Sequence, residues 1–363
     1  MEYIRKRNMS KHAKKICIIG HFGKGETLLN GQTIKTKIIS KELIKVFGKK
    51  NISTIDSHGG IRTLLASPGQ CWNAVKNCQN VIIMPAENGL RVYTPILLLM
   101  NIVFGRKLHY VVIGGWLPKF LKNKKFLSFC LKRFDHIYVE TKQMKIMLEK
   151  AKFKNVLVMP NCKDLEIIKE SELQNDMKEP YKLCTFSRVM KEKGIEDAVA
   201  VVKKINKEYG KVLYSLDIYG QVDDNYVEKF NEIKKQFPNY IRYVGEVPYN
   251  QTAHVLKKYD ILLFPTRFYT EGIPGTIIDA YASGLPVIAS RWESFSDLII
   301  EERTGWGFSF GDIIDLKKRL EDIRKQFECD PYGWKQVRLN CLEQAKNYVP
   351  KNAMHILIEQ LDI

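Results

Sequence analysis

Two carboxylates eight positions apart, Glu271 and Asp279, and two cations five apart, Arg188 and Lys193, are the residues of this sequence whose types and spacing best suit a phosphorylated sugar. An Arg and a Lys flanking one strand-to-helix turn can grip a diphosphate, the first as a planar fork and the second as a point charge. Carboxylates accept hydrogen bonds from ribose or sugar hydroxyls. Between the carboxylates, Gly272-Ile273-Pro274-Gly275-Thr276 supplies a third kind of group. Proline suits a first helical turn, since its φ is fixed and it has no N–H to leave unbonded, and the unpaired amides of such a turn form an anion site. A plainer alternative stands beside this one: an ordinary strand-turn-helix with Glu271 placed for dipole reasons, and two solvated basic residues in a turn.

The elements that must position these groups are legible around them. Residues Asp260 to Ser290 read as buried strand, ligand loop, short helix and second buried strand. Ile261 to Phe264 is a continuous apolar run of the kind found inside a parallel sheet covered on both faces. Gly284 and Pro286 stop the helix between the strands. Strands are also expected at Ile16–Ile19, Ile52–Ile55, Val81–Met84, Leu108–Ile113, Ile137–Val139, Val156–Met159, Leu183–Phe186, Leu216–Tyr219 and Ile241–Val244, with helix-like stretches between most of them. One of those helices follows Gly31 and presents Ile34, Ile38 and Leu43. Such alternation implies an α/β fold with parallel sheets, whose ligand loops lie at the carboxyl ends of the strands. Glu87 and Gly115 sit in loops of that kind; Glu87 and the strand residue His109 are polar participants or ordinary structural residues.

Glu271-Gly272-Ile273-Pro274, then Asp279-Ala280 and Ser283-Gly284-Leu285-Pro286-Val287-Ile288, resembles the retaining nucleotide-sugar glycosyltransferases of the glycosyltransferase-B fold, in particular family four of the bacterial surface-polysaccharide type. Asp135 to Thr141, Val156 to Asn161, Arg188 to Gly194 and Thr304 to Phe308 extend the resemblance. It implies two Rossmann-like domains facing across a cleft. Residues 1–163, completed by a C-terminal helix at about 347–363, would form the acceptor side, and residues 164–346 the nucleotide-sugar-binding domain. It also implies that Glu271 contacts the donor sugar and that Asp279, where the family usually has Glu, contacts the ribose. Arg188 and Lys193 would neutralise the departing nucleoside diphosphate without a metal ion or other cofactor. The residues Gly272 to Thr276 would line the donor, and Gly23, Gly31, Glu87 and Gly115 the acceptor side. A His that many members carry has no counterpart, because Gly114 and Gly115 occupy its place; Cys162 stands where Gly is common.

Composition limits the alternatives. Eight cysteines, none in a Cys-x-x-Cys pair, and a basic, polar start without an apolar centre argue for a reducing cytoplasm and against a disulfide framework or structural zinc. Gly20 to Gly25 lacks the spacing of a dinucleotide fingerprint, which argues against a nicotinamide cofactor. Residues 1 to 164 hold 30 Lys and Arg against 9 Asp and Glu, a net +21, whereas residues 165 to 363 carry −3. A positive half attracts polyanions. No zinc spacing, RNA-recognition signature or basic zipper supports nucleic acid as the partner. Between Trp116 and Phe134, Lys and Arg alternate with Phe and Leu, which predicts an amphipathic helix on an anionic membrane surface or else a core helix with a solvated basic face.

The expectation is therefore a hexosyltransferase peripheral to the cytoplasmic membrane face, moving sugar from a nucleotide-diphosphate donor to a lipid-linked saccharide. A soluble transferase making a small glycoside or glucan and a non-catalytic sugar-nucleotide-binding protein remain as alternatives.

Overall fold

The computed structural model describes residues 14–23, 31–173 and 177–361. The basic arm expected over residues 1–15 lies outside them apart from its last two residues, as do residues 24–30 of the glycine-rich turn. The chain divides into two compact units, Met1–Asp164 with Pro350–Ile363, and Leu165–Val349.

In the first unit the elements are β1 (Lys14–Gly20), α1 (Gly31–Phe47), β2 (Ile52–Asp56), α2 (Gly60–Asn77), β3 (Cys78–Ile83), α3 (Glu87–Phe104) and β4 (Lys107–Val111). They continue with α4 (Leu117–Leu121), α5 (Lys125–Leu131), β5 (His136–Val139), α6 (Lys142–Lys150) and β6 (Val156–Val158). The strands form one parallel sheet in the order β2-β1-β3-β4-β5-β6. Period-two alternation in β1 explains its central place. Cys17 and Ile19 enter the core on one face, Ile16 and Ile18 the core on the other, and all four are buried.

The second unit runs β7 (Tyr181–Phe186), α7 (Ile195–Tyr209), β8 (Tyr214–Tyr219), α8 (Val227–Lys234), β9 (Ile241–Gly245), α9 (Thr252–Leu256), β10 (Ile261–Phe264) and α10 (Gly275–Ala282). After these come β11 (Val287–Ser290), β12 (Gly305–Phe308), α11 (Ile313–Phe327) and α12 (Pro331–Ala345). Its parallel sheet has the order β12-β11-β10-β7-β8-β9. In each unit the chain winds outward in one direction and then in the other, reversing between β1 and β3 and between β7 and β10. Loops on the two strands of such a reversal diverge and leave a crevice at their carboxyl ends. The chain closes with α13 (Pro350–Ala353) and α14 (His355–Gln360), whose Met354 and Leu357 pack with Ile16, Ile18 and Leu43 in the first unit.

Four expectations change. The segment Trp116 to Phe134 is not one amphipathic helix but two short ones, α4 and α5, separated by a turn at 122–124. Only with that turn do Phe120, Leu121, Leu127, Leu131 and Phe134 all reach the core, and the Lys124 ammonium donates to the Phe120 carbonyl at 3.0 Å across it. Its apolar face is thus largely spent on packing. In α1 the buried stripe runs through Lys35, Thr36, Ile39 and Leu43, with Ile34 and Ile38 at its margin. The final helix is interrupted at Met354. Strands β3, β7 and β8 begin two or three residues earlier than expected, where Asn80, Tyr181 and Tyr214 break the apolar pattern but pair in register.

Candidate functional site

The crevice of the second unit collects most of the groups expected to hold the donor. Loops after β7 and β10 meet there. The Lys193 ammonium pairs with Glu271 Oε1, both side chains being mostly buried, and lies 5.6 and 5.7 Å from the ring centres of Phe264 and Phe268. The electron-rich faces of aromatic rings attract a cation held at such distances. Glu271 also accepts a hydrogen bond from Thr266 Oγ1 at 3.4 Å, and Thr266 Oγ1 in turn accepts from the Phe268 amide at 3.1 Å.

Two devices hold this arrangement. The Arg267 guanidinium donates twice to Asp197, at 2.8 Å each, joining the loop after β10 to the first turn of α7. Gly194, at φ 70°, lets those loops touch, since a Cβ there would stand 1.9 Å from the Pro265 carbonyl oxygen. No other residue type meets both conditions.

Pro274 caps α10 and Gly275 begins it. The Thr276 hydroxyl donates to the Phe186 carbonyl at 2.5 Å, which fixes the head of α10 against the end of β7. The first amides of α10 therefore sit at the sheet reversal, in the same pair of loops as Lys193 and Glu271. Gly272, Ile273 and Pro274 are buried beneath this turn. Asp279 lies one turn further along α10 with its side chain only 6% exposed. Arg188 turns to the other side of the β7 loop, its Nε 3.1 Å from Asp223 Oδ2, in the loop after β8. Gly220 permits that approach, as a Cβ there would meet the Ser187 carbonyl oxygen at 1.9 Å.

In the first unit the candidate acceptor residues lie around the carboxyl edge of the sheet. Gly23, at φ 61°, follows β1; exposed Glu87 heads α3 after β3; buried Gly115 follows β4. Gly31 begins α1 with open space around it, so no steric need for glycine exists there. His109 is fully buried in mid-sheet, 3.1 Å from the Tyr138 hydroxyl and 3.2 Å from Asn80 Oδ1, and is a structural residue rather than a loop participant.

Two features of this edge escaped the sequence. Lys35 and Glu140 form a buried ion pair at 2.7 Å, each side chain 2–3% exposed. Lys35 also donates to the Val112 carbonyl and Glu140 accepts from the Gly114 amide, so the pair fixes the loop carrying Gly115. Its partners are 105 residues apart, and no local pattern reveals them. His21 Nε2 lies 2.8 Å from His58 Nδ1, and His21 Nδ1 lies 2.7 Å from Thr33 Oγ1. Each His closely follows a strand of the reversal side, the one signal that was available. Among the described residues, no group of three His, Cys, Asp or Glu side chains is gathered as a metal site.

This geometry defines a protein of two Rossmann-like units, with Lys193, Glu271 and the head of α10 gathered at the sheet reversal of the second. Sucrose-phosphate synthase of Thermosynechococcus elongatus shares the fold at a TM-score of 0.73 and 16% identity over 96% of this chain and 98% of that one. Anabaena HepE, solved with UDP and glucose, does so at 0.69 and 14% over 96% and 99%. Residues 167–329, most of the second unit, match the family of glycosyl transferases group 1. Among curated relatives, the amylovoran biosynthesis glycosyltransferase AmsK of Erwinia amylovora is 24% identical over 145 residues, which are 39% of this chain and 35% of that protein. The chain spans about a fifth to just over half the length of the curated relatives it matches.

Proposed function

We propose that this protein is a retaining hexosyltransferase that moves sugar from a nucleotide-diphosphate donor to a hydroxyl of a lipid-linked saccharide in surface-polysaccharide synthesis. The observation that carries this reading is the meeting of Lys193, Glu271 and the head of α10 at the sheet reversal of a glycosyl transferases group 1 domain. Diphosphate oxygens facing the first amides of α10 would draw the Lys193 ammonium toward them, and Glu271 would then accept from the hydroxyls of the donor sugar. As the glycosidic bond to the diphosphate breaks, negative charge grows on the departing oxygens. Lys193 and the α10 amides would stand near where that charge develops, which is the efficient place for stabilising groups, and Arg188 would join them on leaving Asp223. Two side-chain cations and a helix terminus do the work a divalent ion would otherwise do, so the reaction is proposed to proceed without metal. Asp279 is proposed to receive the ribose hydroxyls.

AmsK, named for amylovoran biosynthesis, supports a polysaccharide product, and the excess positive charge of the first unit supports an acceptor carried on an anionic membrane. The test is transfer from labelled nucleotide sugars to lipid-linked saccharide, with product configuration read by NMR. Label should enter the lipid fraction with the anomeric configuration of the donor, in chelator as well as buffer. An inverted product, or transfer undiminished in Glu271→Ala, would overturn the assignment.

A further inference from the structure

The outward face of the first unit carries an apolar patch that its own fold does not use. On α3, Leu99 and Ile102 are 70% and 78% exposed and Val103 is exposed beside them. On α5, Phe126 and Phe129 stand out at 68% and 53%. Both sets follow the three-residue spacing that puts side chains on one helix face. Helix α5 packs against α3, and α2 packs on the other flank of α3, where the exposed Trp72 meets the Phe104 ring at 5.2 Å. Exposed apolar side chains thus stand on three adjoining helices whose inner faces already fill the core.

Its surroundings carry one sign of charge. Residues 60 to 134, which contain all three helices, hold 11 Lys and Arg and a single acidic residue, Glu87. Around α5 the cations lie against rings: Arg133 sits 3.4 Å from the Phe129 ring centre and Lys124 4.1 Å from that of Phe120. Exposed Leu, Ile and Phe ringed by Lys and Arg, with aromatic groups at the margin, are what a protein lying in a headgroup layer presents. A protein partner of the same fit would need a largely acidic rim around an apolar centre, whereas an anionic bilayer supplies both over any area.

We infer that the α2-α3-α5 face docks the first unit on an anionic lipid bilayer, apolar side chains entering below the headgroups and the basic residues pairing with lipid phosphates. This deepens the lipid-linked-acceptor reading and relocates the membrane contact expected of Trp116 to Phe134 to a surface of three helices. The geometry suits such an acceptor: Leu99 is 12 residues beyond Glu87, about 18 Å along α3, so the docked surface and the candidate acceptor edge lie toward opposite ends of one helix.

Flotation of the full chain tests this, using vesicles of phosphatidylcholine alone and of equal parts phosphatidylcholine and phosphatidylglycerol. Protein should float with the mixed vesicles, stay down with the neutral ones, and be released by salt. The pair Leu99→Glu with Ile102→Glu, and separately Phe126→Ser with Phe129→Ser, should each cut vesicle affinity by about tenfold or more. Far-UV circular dichroism and nucleoside-diphosphate binding, a property of the second unit, should stay at wild-type levels in both. Equal flotation of wild type and both pairs would overturn the inference. So would wild type that ignores anionic vesicles, including the case in which light scattering shows a dimer that Leu99→Glu with Ile102→Glu dissolves. Because nucleotide binding is read in the same samples, loss of the docking claim and loss of the transferase claim are told apart.

Discussion

Lys193 and Glu271 neutralise one another, so a diphosphate that takes up the ammonium must leave the carboxylate another partner, and in the proposed reaction sugar hydroxyls take that place. Glu271→Gln keeps the shape and removes the charge. Transfer at saturating donor should fall by roughly a hundredfold, the usual scale for one lost transition-state contact, with nucleoside-diphosphate affinity little changed. Arg188→Ala should act differently. Its side chain is half exposed and paired with Asp223, so its loss should weaken diphosphate binding by only about tenfold, read by calorimetry. A larger effect on turnover than on binding would move Arg188 into the reacting centre. These residues were legible in the sequence because each lies within a few positions of a strand end and a glycine. Asp197 was not, because its partner Arg267 is 70 residues away and an acidic first turn of α7 already has a local explanation in the helix dipole.

The strand-turn-helix units that carry the site depend on a few positions where chain meets chain. Gly194→Ala would force a Cβ into the Pro265 carbonyl from a left-handed backbone, and should cost about 2 kcal/mol or more in chemical denaturation, with loss of donor binding. In the first unit, Lys35→Met alone leaves the Glu140 charge buried and should cost about 3 to 5 kcal/mol, while Lys35→Met with Glu140→Gln should recover most of it. Failure of the double variant to recover would show that Lys35 acts mainly through its bond to the Val112 carbonyl. At this scale the sequence was informative for the strands: continuous apolar runs at Ile261 to Phe264 and Ile16 to Ile19 mark strands buried on both faces. It misled at Trp116 to Phe134, where one hydrophobic period served two helices and a turn. It misled again in α1, where Ile34 and Ile38 look like the buried stripe but Lys35 is inside, held by a partner that only the tertiary fold supplies.

Over the whole molecule the two units differ in charge far more than in architecture. The +21 half and the −3 half are both built on a six-stranded parallel sheet, though in different strand orders, so the charge excess does not mark a different class of fold. Among the described residues no helix is long and apolar enough to cross a membrane. The cores of the first unit also bury thiols. Burial pushes Cys71 from an ordinary value near 9 up to about 12, and Cys162 up to about 11. A raised thiol keeps its proton in the fold and gives it up on unfolding, so its contribution is complete below pH 9 and lost as pH climbs through 9 to 11. Stability of the first unit should therefore fall by about 1.4 kcal/mol per pH unit for each thiol in that window, and Cys71→Ala with Cys162→Ala should flatten the slope in denaturant melts.

The central claim is that the second unit holds a nucleotide-sugar donor through the loop pair after β7 and β10. Its most direct test is calorimetric titration of the wild type and Lys193→Ala with uridine, guanosine and adenosine diphosphates and their common sugar conjugates. Wild type should bind one base selectively, its sugar conjugate included, and Lys193→Ala should lose most of that affinity. Binding of none of them, or binding that Lys193→Ala leaves intact, would contradict the claim.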